Sequence, residues 1–291
     1  MPYSHKPVRL LMLGDTGNFF EPLRRIIRSE AQRPTSTRAD AVCLLGDNFY
    51  PGGITKGGLK HFLETFQPLA QVPRLMLLGN HDYCHDARIF LNSPHWTMPD
   101  YSYALDIGPL SLIMIDTCQI EPSWVKGRGG TGRPGDSWTT KERVTAATGV
   151  AQELLRKREL ERLDAFLATR RDKFTIVCGH YPLVSNGLYD MNEDIRNAIV
   201  PILEKHKANV YVAGHEHSLE HTQLRLKNGH VLDHMITGAS SEARPMSMRR
   251  FPGWVHAGLG SLAVEADGET VQFIFTDPAG RELHRFIRKG A

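Results

Sequence analysis

The chain has 291 residues, 41% of them apolar and 23% charged, proportions that supply a globular core and exclude a disordered chain. Its formal charge of +3 is too small to hold a polyanion or an anionic bilayer, so neither nucleic acid nor a membrane is expected as a partner. No apolar stretch approaches the roughly 20 residues of a membrane span, and the first apolar run begins near Val8, so a cytoplasmic protein is expected, or a periplasmic or secreted one if a leader was removed.

In chain order, an apolar run at 8–13 reads as a buried strand and ends at Gly14-Asp15. A helix is predicted at 21–29, a strand at 41–45 ending at Gly46-Asp47, and a helix at 57–69 with Leu59, Phe62, Leu63 and Phe66 on one face. The run at 74–78 ends at Gly79-Asn80. Residues 121–149, rich in Gly and charged side chains, interrupt the pattern and read as a long surface loop. An amphipathic helix at 153–169 precedes a strand at 174–178 that ends at Gly179-His180. A helix at 193–206 contains Pro201, which predicts a kink, and the strand at 209–213 ends at Gly214-His215, with His217 two residues on. Residues 240–252 read as a rim segment, where Arg244, Arg249 and Arg250 are either solvated cations or cations that meet an anionic substrate. Strands at 261–265, 271–276 and 283–287 close the chain as an antiparallel meander. Strand-helix alternation of this kind predicts a single α/β domain with parallel crossovers and one long insertion.

Five apolar runs therefore end in glycine followed at once by Asp, Asn or His. Glycine tolerates φ > 0, which predicts sharp turns that aim the next side chain back over the strand tips. A single Gly-Asp is an ordinary turn, but five of these dipeptides point to a metal site at one sheet edge. His215 and His217 alternate, so a regular strand puts both on one face and Glu216 on the other. Asp and Tyr oxygens are hard donors suited to a trivalent ion, whereas Asn and neutral imidazole suit a divalent one. His5, His61, His95, His206, His230, His234, His256 and His284 fit no ligand pattern and read as surface or packing residues, as do His85 and His221 beside the motifs. Cys43, Cys84, Cys118 and Cys178 form no CxxC pair and read as small apolar thiols.

The blocks Gly14-Asp15-Thr16-Gly17-Asn18, Gly46-Asp47-Asn48-Phe49-Tyr50, Gly79-Asn80-His81-Asp82, Gly179-His180-Tyr181-Pro182 and Gly214-His215-Glu216-His217 resemble the five signature blocks of the calcineurin-like metallophosphoesterases. Tyr50, three residues after Asp47, resembles the metal-binding tyrosine of purple acid phosphatases, especially the tartrate-resistant type. The resemblance implies a four-layer α/β/β/α sandwich with two mixed β-sheets and a dinuclear metal site at the C-terminal ends of the strands. It implies one metal, Fe(III), on Asp15, Asp47, Tyr50 and His217. The second, Fe(II), Zn or Mn, would lie on Asp47, Asn80, His180 and His215, with Asp47 shared. The implied reaction is hydrolysis of small phosphate monoesters, metal-activated hydroxide attacking phosphorus in line and His81 assisting the leaving group. A phosphodiesterase or phosphoprotein phosphatase on the same metal core is the alternative. Asp82 is either a partner that orients His81 or a turn residue, and the segment 121–149 falls where tartrate-resistant enzymes carry a loop over the active site. A non-catalytic scaffold on this fold is expected to have lost ligands, and none is lost here.

Overall fold

The computed structural model of the chain describes residues 7–121, 141–170, 173–189, 192–246 and 250–290. Strand β1 (Val8–Leu13), helix α1 (Glu21–Ala31), β2 (Ala41–Leu45), α2 (Lys56–Phe66) and β3 (Arg74–Leu77) form two successive crossovers, which leave β1, β2 and β3 parallel. A hairpin of β4 (Tyr103–Ile107) and β5 (Leu110–Met114) follows, then helices α3 (Thr117–Ile120), α4 (Lys141–Thr148) and α5 (Gln152–Ala168). Strand β6 (Phe174–Cys178), helix α6 (Glu193–His206) and β7 (Val210–Ala213) complete a second parallel series, in which β5, β6 and β7 lie side by side. The remainder is strand: β8 (Leu219–Arg225), β9 (Val231–Thr237), β10 (Gly253–His256), β11 (Ser261–Ala266), β12 (Thr270–Thr276) and β13 (Glu282–Lys289).

These strands form two mixed sheets, one ordered β13-β12-β11-β1-β2-β3 and the other β10-β8-β9-β7-β6-β5-β4. The central parallel strands β2, β5, β6 and β7 are apolar at almost every position and wholly buried, as strands covered on both faces must be. Outer strand β13 instead alternates exposed and half-buried residues. The sheets face each other across a common core in which Phe174 of β6 meets Phe273 of β12 at 6.2 Å between ring centroids. Helices α1 and α2 pack together, while α5 packs on β5 and against α3 and α6, giving the expected α/β/β/α layering. Among the described residues no helix is long and apolar enough to cross a membrane. All four cysteines are free thiols, and Cys43, Cys118 and Cys178 are buried.

The structure departs from the sequence reading in three places. Helix α6 runs unbroken through Pro201, with Asn192 capping its start by accepting from the Ile195 N–H at 3.1 Å. The predicted loop 121–149 contains helix α4 at its return, anchored through buried Val144; residues 122–140 lie outside the described residues. Strands β4, β5, β8, β9 and β10, which the sequence reading leaves unassigned, make up most of the second sheet.

Behind the strand tips, Asp116 caps α3 by accepting from the N–H groups of Cys118 and Gln119, and it takes the Tyr83 hydroxyl at 2.6 Å. Burial pushes its carboxyl up to about 7, although the Tyr83 hydrogen bond pulls it down. The folded chain thus holds a proton that the unfolded chain, with an ordinary carboxyl near 3.8, releases. A raised folded-state carboxyl gives stability that is present at acid pH and lost as pH rises from about 4 to about 7. Asp116→Asn is expected to remove roughly 3 to 4 kcal/mol of that decline, read by urea unfolding across the range. An unchanged slope would show that Asp116 titrates normally.

Candidate metal centre

The candidate ligand residues sit at or near the carboxyl ends of five strands, but the backbone turns there differently from expectation. Of the five motif glycines only Gly46 has positive φ, at 88°; the left-handed conformation falls on the side-chain-bearing residues Asp15 (57°), Asp47 (51°) and His215 (65°). An Asp tolerates this region better than most residues, and the strain at His215 is held by its N–H, which donates to Asp15 Oδ2 at 2.7 Å. The glycines serve proximity instead. A Cβ on Gly214 would lie 2.8 Å from Asp15 Oδ2 and 2.9 Å from the Leu45 carbonyl, and one on Gly14 would lie 2.9 Å from the Cα of Gly214. The tips of the two sheets therefore touch backbone to backbone, which brings donors from both into one cluster.

That cluster has two halves sharing Asp47. In the first, the Tyr50 hydroxyl lies 2.8 Å from Asp15 Oδ1, 3.0 Å from Asp47 Oδ2 and 3.2 Å from His217 Nε2. In the second, His180 Nε2 lies 3.1 Å from Asn80 Oδ1, 3.2 Å from His215 Nδ1 and 3.4 Å from Asp47 Oδ1. All seven predicted ligands are thus brought together, each half taking the four residues the sequence reading gave it. Donors bound about 2.1 Å from one cation, at tetrahedral to octahedral angles, lie about 3.0 to 3.4 Å from each other, which matches these separations. His215, Glu216 and His217 lie in the bend between β7 and β8 and not on a regular strand as expected; Glu216 accepts the Tyr189 N–H at 2.8 Å and takes no part in the cluster.

The electrostatics also fit bound cations. Asp15 and Asp47 are buried, and among the described residues no Lys or Arg pairs with either. Two buried carboxylates without a fixed cation cost several kcal/mol unless a positive ion joins them. Burial alone would raise the Asp15 carboxyl, but His217, His180 and Tyr50 outweigh it and hold it below the ordinary value. Burial, then the charges of Asp15 and Asp47, push the Tyr50 phenol well above its usual range, so a phenolate there requires a strong Lewis acid. Burial, reinforced by His180 and His217, pushes His215 well below its usual value and leaves it in the neutral form that coordinates. His180 Nδ1 faces the Leu45 carbonyl at 2.8 Å, which puts the proton on that nitrogen and turns the Nε2 lone pair to the cluster.

His81 stands at the mouth. Its N–H donates to Asp47 Oδ1 at 2.8 Å, its Nδ1 meets the Pro51 carbonyl at 2.6 Å, and its Nε2 lies 3.8 Å from Asp47 Oδ2. The Pro51 carbonyl, not Asp82, faces the His81 ring nitrogen. Asp82 is wholly buried and accepts from the N–H groups of Asn48 and Gly79 and from the Asn48 amide, so it is a turn residue that clamps two ligand loops together. The Asn48-Tyr50 turn is fixed from below by Phe49, whose ring packs 5.7 Å from Phe19, 5.5 Å from Phe62 and 5.7 Å from Phe90.

His221 lies in β8, bound to Asp233 Oδ1 at 2.9 Å and His284 Nε2 at 3.1 Å, and takes no part in the cluster. His85 is exposed. Of the predicted rim cations, Arg244 lies beside the cluster, Arg250 is exposed with its N–H on Asn186 Oδ1 at 2.7 Å, and Arg249 is outside the described residues. One neighbour escaped sequence reasoning: Tyr189 stacks on the His215 ring at 4.8 Å between centroids. It follows Ser185-Asn186-Gly187-Leu188, a stretch without helical or strand periodicity, and its N–H is held by the buried Glu216.

A family model for calcineurin-like phosphoesterases matches residues 8–219, and the chain belongs to that family. It is 25% identical to mouse (Mus musculus) tartrate-resistant acid phosphatase type 5, over 96% of this chain and 89% of that protein. It is 24% identical to purple acid phosphatase 17 of Arabidopsis thaliana, over 85% of this chain and 74% of that one. Among solved structures, the yellow lupin purple acid phosphatase PPD1 superposes with a TM-score of 0.67 at 16% identity, covering 97% of this chain and 54% of that one. GAP50, the anchor in the inner membrane complex of Plasmodium, superposes with a TM-score of 0.74 at 17% identity, covering 97% and 89%. At those identities the structures speak for the fold alone.

Proposed function

We propose that the chain is a phosphomonoesterase of the purple acid phosphatase type, holding Fe(III) on Asp15, Asp47, Tyr50 and His217 and a divalent Fe, Zn or Mn on Asp47, Asn80, His180 and His215. The observation that carries this reading is the asymmetry of the two halves: a phenol enters one of them only. Cations bound there would supply Lewis acidity to the phosphoryl oxygens and make water acidic enough to ionise near neutral pH or below.

The chain's own groups account for the rest. Asp47 gives one oxygen to each half, Oδ2 towards Tyr50 and Oδ1 towards His180, so it fixes their spacing. The His81 ring is oriented by the Pro51 carbonyl, which accepts from Nδ1 and leaves Nε2 towards the cluster. In the imidazolium form, Nε2 carries the proton that the departing alkoxide or phenoxide needs. Buried Asp82 stays behind the turn and keeps His81 beside Asp47. Residues 121–149 belong to the same domain in this reading, and their described end, helix α4, packs beside the turn Asp82–Cys84, with Arg143 hydrogen-bonding Cys84.

Purified protein is expected to contain two metals per chain and to absorb visible light through phenolate-to-Fe(III) charge transfer. Tyr50→Phe should bleach that band and lower aryl monophosphate turnover by about 10- to 100-fold, the usual size of a loss around a metal. A colourless, active protein with only divalent metals would overturn the iron assignment.

A further inference from the structure

Arg244 differs from Arg9 and Arg288, which pair with carboxylates. Arg9 is paired with Glu30 and Glu265, and Arg288 with Asp233. Among the described residues no carboxylate lies within ion-pair distance of Arg244, although its guanidinium is half-buried. Its position is nonetheless fixed at both ends. The Arg244 N–H donates to the His217 carbonyl at 2.9 Å, and Nη1 donates to the Tyr189 hydroxyl at 2.5 Å. The guanidinium carbon lies 5.3 Å from the Tyr189 ring centroid, and that ring stacks on His215. Each of the two His residues flanking Glu216 is therefore tied to this pair, one through the backbone and one through a ring. Burial works against the charge of Arg244, but Tyr189, Tyr50 and Asp15 outweigh it and hold its pKa above the ordinary value.

We infer that Arg244 is a substrate-binding residue that selects phosphate monoesters over diesters, with Tyr189 as its positioning residue. The inference rests on the phosphoesterase reading above and names the substrate class of that site. A monoester dianion has three non-ester oxygens, while a diester has two and a single negative charge. With two oxygens turned to the metal-binding cluster, the third faces the rim, where a planar guanidinium that commits one nitrogen, to Tyr189, among the described residues meets it. In a diester that place is taken by an ester oxygen, a poor acceptor that carries a second substituent. Arg244 thus gains a charge-assisted contact with the first substrate and loses it with the second. The Tyr189 hydroxyl holds the fork in place, so that less rotamer freedom is lost on binding.

The test compares wild type, Arg244→Gln, Arg244→Lys and Tyr189→Phe, all metal-loaded and matched by thermal unfolding. Turnover of an aryl monophosphate and a bis-aryl phosphate is measured, and inorganic phosphate binding is followed by calorimetry. Arg244→Gln is expected to lower kcat/KM by about 100-fold on the monoester and by about fivefold on the diester, and to weaken phosphate binding by about 100-fold. Arg244→Lys, which keeps the charge without the fork, should fall between. Tyr189→Phe should raise KM for the monoester with a smaller effect on kcat. Equal losses on both esters, or unaltered phosphate affinity in Arg244→Gln, would overturn the inference. A wild type that binds phosphate through Arg244 but hydrolyses neither ester would overturn the phosphatase reading and leave Arg244 as an anion ligand.

Discussion

Asp47→Ala is expected to lower kcat/KM for an aryl monophosphate by roughly 10³-fold or more and to empty both metal positions together. Losing an outer partner of a metal ligand already costs about 10- to 100-fold, and Asp47 is the one side chain with an oxygen in each half of the cluster. It also accepts the His81 N–H, so its loss frees the group that faces the leaving oxygen. Elemental analysis of the purified variant beside its kinetics checks this. Retention of two metals per chain with near-normal turnover would show that the halves are held independently. Loss of one metal alone would show that Asp47 belongs to a single half.

Gly214→Ala is expected to destabilise the fold by about 3 kcal/mol or more, the cost of forcing atoms into a packed place that cannot give way. The added methyl meets the Leu45 carbonyl at 2.9 Å and Asp15 Oδ2 at 2.8 Å, the first of them backbone and the second a buried carboxylate of the cluster. Gly57→Ala in α2 is the comparison, because a Cβ there finds nothing closer than Thr55 Oγ1 at 4.0 Å. That substitution should be neutral or stabilising by up to about 1 kcal/mol. Chemical denaturation of both variants separates crowding from any general cost of losing glycine. Equal stability of the two would remove the argument for close contact between the sheet tips.

The first sheet's parallel strands and the gathering of the seven candidate residues were legible because both rest on short-range signals. Strands β1, β2 and β6 have the predicted bounds, since an apolar run bounded by glycine leaves little freedom in where a buried strand stops. The hairpin β4-β5 was missed although Leu110–Met114 is as apolar as its neighbours, because that run ends at Ile115-Asp116 and carries no ligand to draw attention. Strands β8 and β9 carry buried His221, Glu220, Asp233 and His234, with His221 bound to Asp233, a polar content that hides a strand from hydropathy. The role of Asp82 turned on three-dimensional neighbours: its partners Asn48 and Gly79 come from separate loops. Glycine's part was misjudged for a similar reason. Crowding between Gly14 and Gly214 exists only after two distant segments meet, and no local pattern records it.

That meeting sets the order of assembly. Asp15, Asp47 and Asn80 follow strands of one sheet and His180, His215 and His217 follow strands of the other, with Asp15 and His215 separated by 200 residues. Contacts so distant along the chain close last, after the entropy of long loops has been overcome. A half-made chain can offer only Asp15, Asp47, Tyr50 and Asn80, and none of the three histidines. On the proposed metal reading, both positions are complete only in molecules whose two sheets have already docked.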